Sequence, residues 1–137
     1  TPEQLCDAPL ERIGLPVARA NTLRILASAV VRGEIDFSAA QRLDDFVERL
    51  TALPGIGPWT AHYVALRALG HPDAFPASDL VLRQMLGNGT PVGAREAERR
   101  AEAWRPWRGY ATVHLWHLAS TPSATDPEYP KPCATTP

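Results

Sequence analysis

The chain has 137 residues, 45% of them apolar, which is enough to bury a core within one domain without disulfides or metals. Fourteen Lys and Arg against fifteen Asp and Glu leave a net charge of −1; this argues against a non-specific polyanion binder, but DNA contacts made by backbone amides stay open. No apolar run approaches the ~18 residues of a membrane span, and Thr1-Pro2-Glu3-Gln4 lacks the basic start of a signal peptide, so a soluble intracellular protein is expected.

The elements predicted in chain order are nearly all helical. Thr1-Pro2-Glu3-Gln4 combines a capping-box pattern with Pro at the first helical position, opening a short helix that ends before Pro9. Leu23, Leu26 and Val30 recur at spacings of three and four, which predicts a helix over 17–32 with Gly33 as its stop. Ser38 is expected to cap the next helix, in which Leu43, Phe46, Val47 and Leu50 form one apolar stripe. Leu53-Pro54-Gly55-Ile56-Gly57-Pro58 then turns the chain. Pro58 opens a helix over 58–69, and Gly70 stops it. A loop comes next over 71–78, Asp79 caps a helix through Leu86, and Gly87-Asn88-Gly89-Thr90-Pro91 makes another loop. Helices over 94–104 and 106–119 complete an all-α domain spanning 1–119. Residues 120–137, with five prolines, are expected to form an extended or disordered tail. Cys6 and Cys133 sit near opposite ends and are expected to be reduced.

The turn carries the first functional signal. Two glycines in three residues permit positive φ and close approach of a partner, and Ile56 between them is apolar enough to anchor the turn. The helix after it presents free N–H groups and the positive end of its dipole, which suit an anion such as a DNA phosphate. Gly-x-Gly alone favours a plain tight turn between packed helices. The longer string Leu-Pro-Gly-Ile-Gly-Pro-Trp-Thr-Ala over 53–61 is more specific.

With that string, the sequence resembles the helix–hairpin–helix (HhH-GPD) DNA glycosylase superfamily, and within it the bacterial alkylbase glycosylases of the 3-methyladenine glycosylase II type. The match continues through Trp59 to Arg67, resumes at Phe75-Pro76-Ala77-Ser78-Asp79, and returns at Trp104 to Ala111 and His114-Leu115-Trp116, covering about 1–120. The resemblance implies a helix–hairpin–helix at about 39–69, with Gly55, Gly57, Pro58 and Thr60 at a DNA phosphate. Where the family's hairpin holds a monovalent cation, Na⁺ or K⁺, the carbonyls of Leu53 and Ile56 stand in the equivalent places.

Asp79 read from position alone is first a helix cap; the resemblance aligns it with the family's catalytic aspartate. Breaking an N-glycosidic bond places positive charge on the sugar, which a carboxylate stabilises. Trp59 and Tyr63, four residues apart, share a helix face and would ordinarily be core. The resemblance makes them, with Trp116, the lining of the pocket for a flipped base. A base alkylated at a ring nitrogen is cationic, and electron-rich rings attract it by about 1–2 kcal/mol when desolvated. Bifunctional relatives carry a Schiff-base lysine where this chain has Trp59, and its only lysine is Lys131, so a monofunctional hydrolase is implied. Two cysteines cannot build the four-cysteine iron–sulfur cluster of some relatives. His114 and His117 have ligand-like spacing but no evident third ligand, so no metal is expected. Arg67, Arg83, Arg105 and Arg108 are left between phosphate contacts and internal pairs.

The resembling enzymes are longer, and helices upstream of the matched region carry the residues that wedge into the duplex. The resemblance therefore implies a C-terminal portion, monomeric and fused to or docked on upstream domains, acting on double-stranded DNA with alkylated bases in a bacterial cytoplasm, at the nucleoid. The alternative is a non-catalytic DNA-binding or regulatory domain of a larger alkylation-response protein. A tether of that kind has no need of Asp79 with three aromatic partners.

Overall fold

The computed structural model describes residues 1–38 and 41–121, and among these every regular element is helical. Helix α1 (Pro2–Cys6) begins with the expected capping box: the Thr1 hydroxyl accepts the Gln4 N–H, and the Gln4 side chain accepts from the Thr1 amine. A 3₁₀ turn (Leu10–Ile13) that the periodicity does not reveal leads into α2 (Val17–Val31), after which Gly33 takes φ +73°.

Helix α3 (Leu43–Thr51) corrects the expected start. Ser38 does not cap it: its N–H and hydroxyl both go to the Asp36 carboxylate, at 3.0 and 2.5 Å. A serine two residues after an aspartate closes a local turn, and its side chain is then spent there instead of at a more distant helix. The helix starts instead at Leu43, where Asp44 and Asp45 complement the positive end of the dipole. Leu43, Phe46 and Leu50 are buried and Val47 packs beside them, as the stripe predicted.

Helix α4 (Pro58–Ala68) and α5 (Leu80–Leu86) have the expected starts, with Pro58 at the first helical position and the Asp79 carboxylate accepting the Leu82 N–H at 3.0 Å. The region 94–104 divides into α6 (Ala94–Ala101) and a 3₁₀ turn (Glu102–Trp104). Helix α7 (Arg108–Ser120) begins two residues later than predicted, because Trp107 first closes a turn with its N–H on the Trp104 carbonyl at 2.7 Å. The expected tail, with Lys131 and Cys133, falls outside the described residues from 122 onward.

Two cores result. Helices α2, α3 and α4 bury Ala29, Phe46, Leu50, Ile56, Ala61 and Ala65 in the first. In the second, α5, α6 and α7 pack about Phe75, Leu82, Ala97 and Ala101. The segment 71–79 joins them, since Ala74 belongs to the first core and its neighbour Phe75 to the second. Asp79, singled out in the sequence, stands at the end of this segment.

Candidate functional site

The hairpin between α3 and α4 is built on one glycine that must be glycine and one that need not be. Gly55 has φ +87°, and a Cβ there would collide with the Thr22 hydroxyl of α2. Gly57 has φ −96°, an ordinary extended value, and a Cβ would meet nothing within 4 Å. The expectation of positive φ thus applies to Gly55 alone; Gly57 leaves open space in front of α4. Ile56, 8% exposed, pins the turn into the first core, and its N–H donates to the Leu53 carbonyl at 3.2 Å. Pro58 has no N–H, and Trp59 and Thr60 lie in the first turn, where amides have no intrahelical acceptor. No side chain caps this helix, so its positive end faces outward.

Four of the singled-out side chains meet here, Trp59 and Tyr63 from α4 itself, Asp79 from the start of α5 and Trp116 from α7. The Trp59 indole N–H donates to Asp79 Oδ2 at 2.9 Å. The Trp116 indole N–H donates to Asp79 Oδ1 at 3.2 Å, beside the Leu82 amide on the same oxygen. Trp59 and Tyr63 stack with centroids 5.1 Å apart and planes 13° from parallel, and Tyr63 packs against Trp116 at 5.9 Å. Trp59 and Tyr63 remain more than one-third exposed despite their size. The arrangement is a half-open aromatic wall ending on a carboxylate whose orientation three N–H donors fix. It can present negative charge to an electron-poor centre and a π-surface to a flat cation.

Sequence patterns do not single out Asp73, and they leave Arg105 and Arg108 between two roles; the structure pairs all three internally. Arg108 Nε and Nη2 donate to the two carboxylate oxygens of Asp73, each at 2.8 Å, and Arg105 Nη1 adds a third contact at 2.5 Å. Burial opposes ionisation of Asp73, but the hydrogen bonds and charge of Arg108 outweigh it and hold the carboxyl below its ordinary value. Arg83 Nε likewise turns inward, to the Val92 carbonyl, whereas Arg67 stays exposed. The one sequence cue for Asp73 is an acidic residue within the otherwise apolar run Pro72 to Pro76. His62 of α4 is a further residue that sequence reasoning misses; its Nδ1 accepts the Phe75 N–H at 3.3 Å, tying the same segment to the first core.

A cavity of about 520 Å³ lies between the end of α4 and α7, with His71, Tyr110, Val113, His114 and His117 on its wall. Among the described residues no three His, Cys, Asp or Glu side chains converge as a metal site. Nor is any helix there long and apolar enough to cross a membrane.

No protein-family model matches the chain. Among curated proteins it is 40% identical over 121 residues to the probable bifunctional transcriptional activator/DNA repair enzyme AlkA of Mycobacterium tuberculosis, covering 88% of this chain and 24% of that one. It is 37% identical over 120 residues to DNA-3-methyladenine glycosylase 2 of Escherichia coli, covering 85% of this chain and 42% of that one. Among solved structures it superposes on the Schizosaccharomyces pombe 3-methyladenine DNA glycosylase in complex with abasic DNA, with TM-score 0.78 and 26% identity over 88% of this chain and 64% of that one. The chain thus spans less than half the length of the two curated relatives.

Proposed function

We propose that this chain, which shares sequence and fold with DNA-3-methyladenine glycosylases and corresponds to the C-terminal part of the bacterial ones, is the catalytic portion of a monofunctional DNA glycosylase that releases alkylated bases such as 3-methyladenine in base excision repair. The observation that carries this reading is the Asp79 carboxylate held between the indoles of Trp59 and Trp116 at the foot of the Trp59–Tyr63 stack.

The chemistry derives from that placement. The N-glycosidic bond breaks with its electron pair leaving on the base, and positive charge develops on the sugar. Asp79 faces that charge as a pre-oriented anion, which costs no reorganisation when the bond breaks. A water molecule then adds to the sugar and gives up a proton to solvent, which completes hydrolysis. An alkylated base already carries positive charge and leaves readily, so no general acid is required; Trp59, Tyr63 and Trp116 receive the flipped base by stacking and cation–π attraction. At the position of Trp59 no amine is available for a Schiff base, which supports hydrolysis without strand cleavage.

On the same reading, Gly55, Gly57 and Pro58 form the approach to a DNA phosphate, and the amides of Trp59 and Thr60 bind it. The carbonyls of Leu53, which also accepts the Ile56 N–H, and of Ile56 are hard oxygen donors at this turn and would hold Na⁺ or K⁺, adding positive charge beside the phosphate; no iron–sulfur cluster and no other cofactor takes part. The protein acts as a monomer on double-stranded DNA in a bacterial cytoplasm, at the nucleoid, with upstream helices supplying the wedge. A second reading, a DNA-tethering regulatory domain, draws support from the activator half of the Mycobacterium relative's name. Base release from methylated duplex decides between them. Asp79→Asn is expected to lower single-turnover release by about 10²-fold or more while DNA affinity is kept; equal release by both proteins sinks the catalytic assignment.

A further inference from the structure

We propose that Arg108 and Asp73 are a positioning pair: their buried fork sets the Asp79 carboxylate against the indole of Trp116. The inference rests on reading Asp79 as the charge that meets the sugar.

Asp79 stands at the end of a segment without regular structure, 71–78, whereas the Trp116 indole that meets it rides on α7. Their separation therefore depends on how that segment docks on that helix, together with the packing of α5, which Asp79 caps, against α7. Phe75 packs in one core with Leu115 and Trp116 of α7, while the hydrogen-bonded docking is concentrated at one place. The Arg108 guanidinium grips both Asp73 oxygens at 2.8 Å, and its backbone N–H adds Oδ1 at 3.4 Å. One residue on, the Gly109 N–H donates to the Pro72 carbonyl at 2.7 Å. A Cβ on Gly109 would lie 2.7 Å from that oxygen and 2.9 Å from the His71 carbonyl, so backbone meets backbone with nothing between.

The residues between Asp73 and Asp79 transmit the fixed position. Ala74, Phe75 and Pro76 are buried, the Ala77 N–H returns to the Phe75 carbonyl at 2.9 Å, and the Asp79 N–H to the Pro76 carbonyl at 2.8 Å. A segment locked in this way moves as a unit when its anchor moves. The Arg108 side chain is 4% exposed and that of Asp73 11%, so the pair has little water to fall back on. Two-point guanidinium geometry fixes orientation as well as distance, which a lysine ammonium does not. Neither residue hydrogen-bonds Asp79, Trp59 or Trp116; their action is on where the carboxylate stands.

The test is made on the full chain carrying Arg108→Lys or Asp73→Asn. The indole N–H signals of Trp59 and Trp116 in ¹H–¹⁵N spectra report the hydrogen bonds to Asp79 directly, and Asp79→Asn defines where those signals lie when the carboxylate is removed. Both substitutions are expected to move the Trp116 signal toward that reference. They are also expected to slow base release by about 10- to 100-fold, the scale of a misplaced reacting group, with DNA affinity little changed. Folded variants whose Trp116 signal stays at its wild-type position overturn the proposal, because a purely structural pair alters stability without moving that signal. Should Arg108→Lys not fold, the isosteric Asp73→Asn and the exposed-arm variant Arg105→Gln decide by the same signals. If Asp79→Asn releases base at the wild-type rate, the catalytic reading falls, while the indole signals still judge the positioning role separately.

Discussion

At the residue scale, the two hairpin glycines separate stability from binding. Gly57 is the N-cap of α4, with extended dihedrals and open space where a side chain would go. Aspartate is among the best N-cap residues because its carboxylate accepts the free amides of the first turn. Gly57→Asp should therefore leave the folding free energy unchanged or raise it by a few tenths of a kcal/mol. The same carboxylate would occupy the amides proposed for a phosphate and repel it, so affinity for duplex DNA should fall by about tenfold or more. Urea unfolding and fluorescence anisotropy on one preparation read both numbers; undiminished affinity with a well-formed cap would remove the hairpin amides from the interface. Gly55 behaves oppositely. At φ +87°, with Thr22 Oγ1 standing where a Cβ would go, Gly55→Ala must strain the backbone and push Thr22 aside, losing about 1–2 kcal/mol or more from the left-handed conformation alone.

At the scale of elements, α4 holds the 71–78 segment through a histidine that has to be neutral. His62 Nδ1 accepts the Phe75 N–H, which an imidazolium cannot do at that nitrogen. Burial pushes the His62 imidazole below its ordinary value of 6.5, and the charge of Arg108 adds to this, against weaker opposing fields from Glu98, Asp44 and Asp73. The folded state therefore binds fewer protons than the unfolded one just below pH 6.5, and stability present above that pH is lost as pH falls. His62→Gln keeps a neutral acceptor and should flatten the decline in urea midpoints below pH 6.5. A decline equally steep in both proteins would place the titrating group elsewhere. Asp73 acts with the same sign further down, below its ordinary value of 3.8. These couplings mark what could be read in the sequence and what could not. Helix ends punctuated by Pro58, Gly33 and Gly70 were legible because those residues fix φ or permit left-handed turns locally. The α3 start was misplaced at Ser38 because a nearer acceptor, Asp36, competes for the same hydroxyl. Trp59, Tyr63, Asp79 and Trp116 stand out in the sequence only through the family resemblance, and the fold brings them into contact. The Asp73–Arg108 pair spans 35 residues and leaves no local pattern, so only the tertiary structure exposes it.

For the whole molecule, the mode of DNA binding depends on where the positive charge goes. The net charge is −1, and six arginines, Arg24, Arg32, Arg99, Arg100, Arg105 and Arg108, already face carboxylates of the same chain. On the proposed reading, duplex DNA is held not by a broad basic face but at a few phosphates near the hairpin, gripped by amides and the end of α4. Counterion release then sets an observable limit. Each phosphate neutralised by a cationic side chain contributes about −0.9 to the slope of log affinity against log salt, while a phosphate bound by neutral amides contributes less. For this chain the slope between about 50 and 200 mM salt should be shallower than about −4, and Arg67→Ala, the exposed α4 arginine, should change it by no more than about one unit. A slope near −8 would mean that binding runs through many basic contacts, and the hairpin would lose its place as the principal grip. Because specificity in this scheme comes from the aromatic wall and not from charge, the preference for alkylated over undamaged duplex should survive at the higher salt even as both affinities weaken.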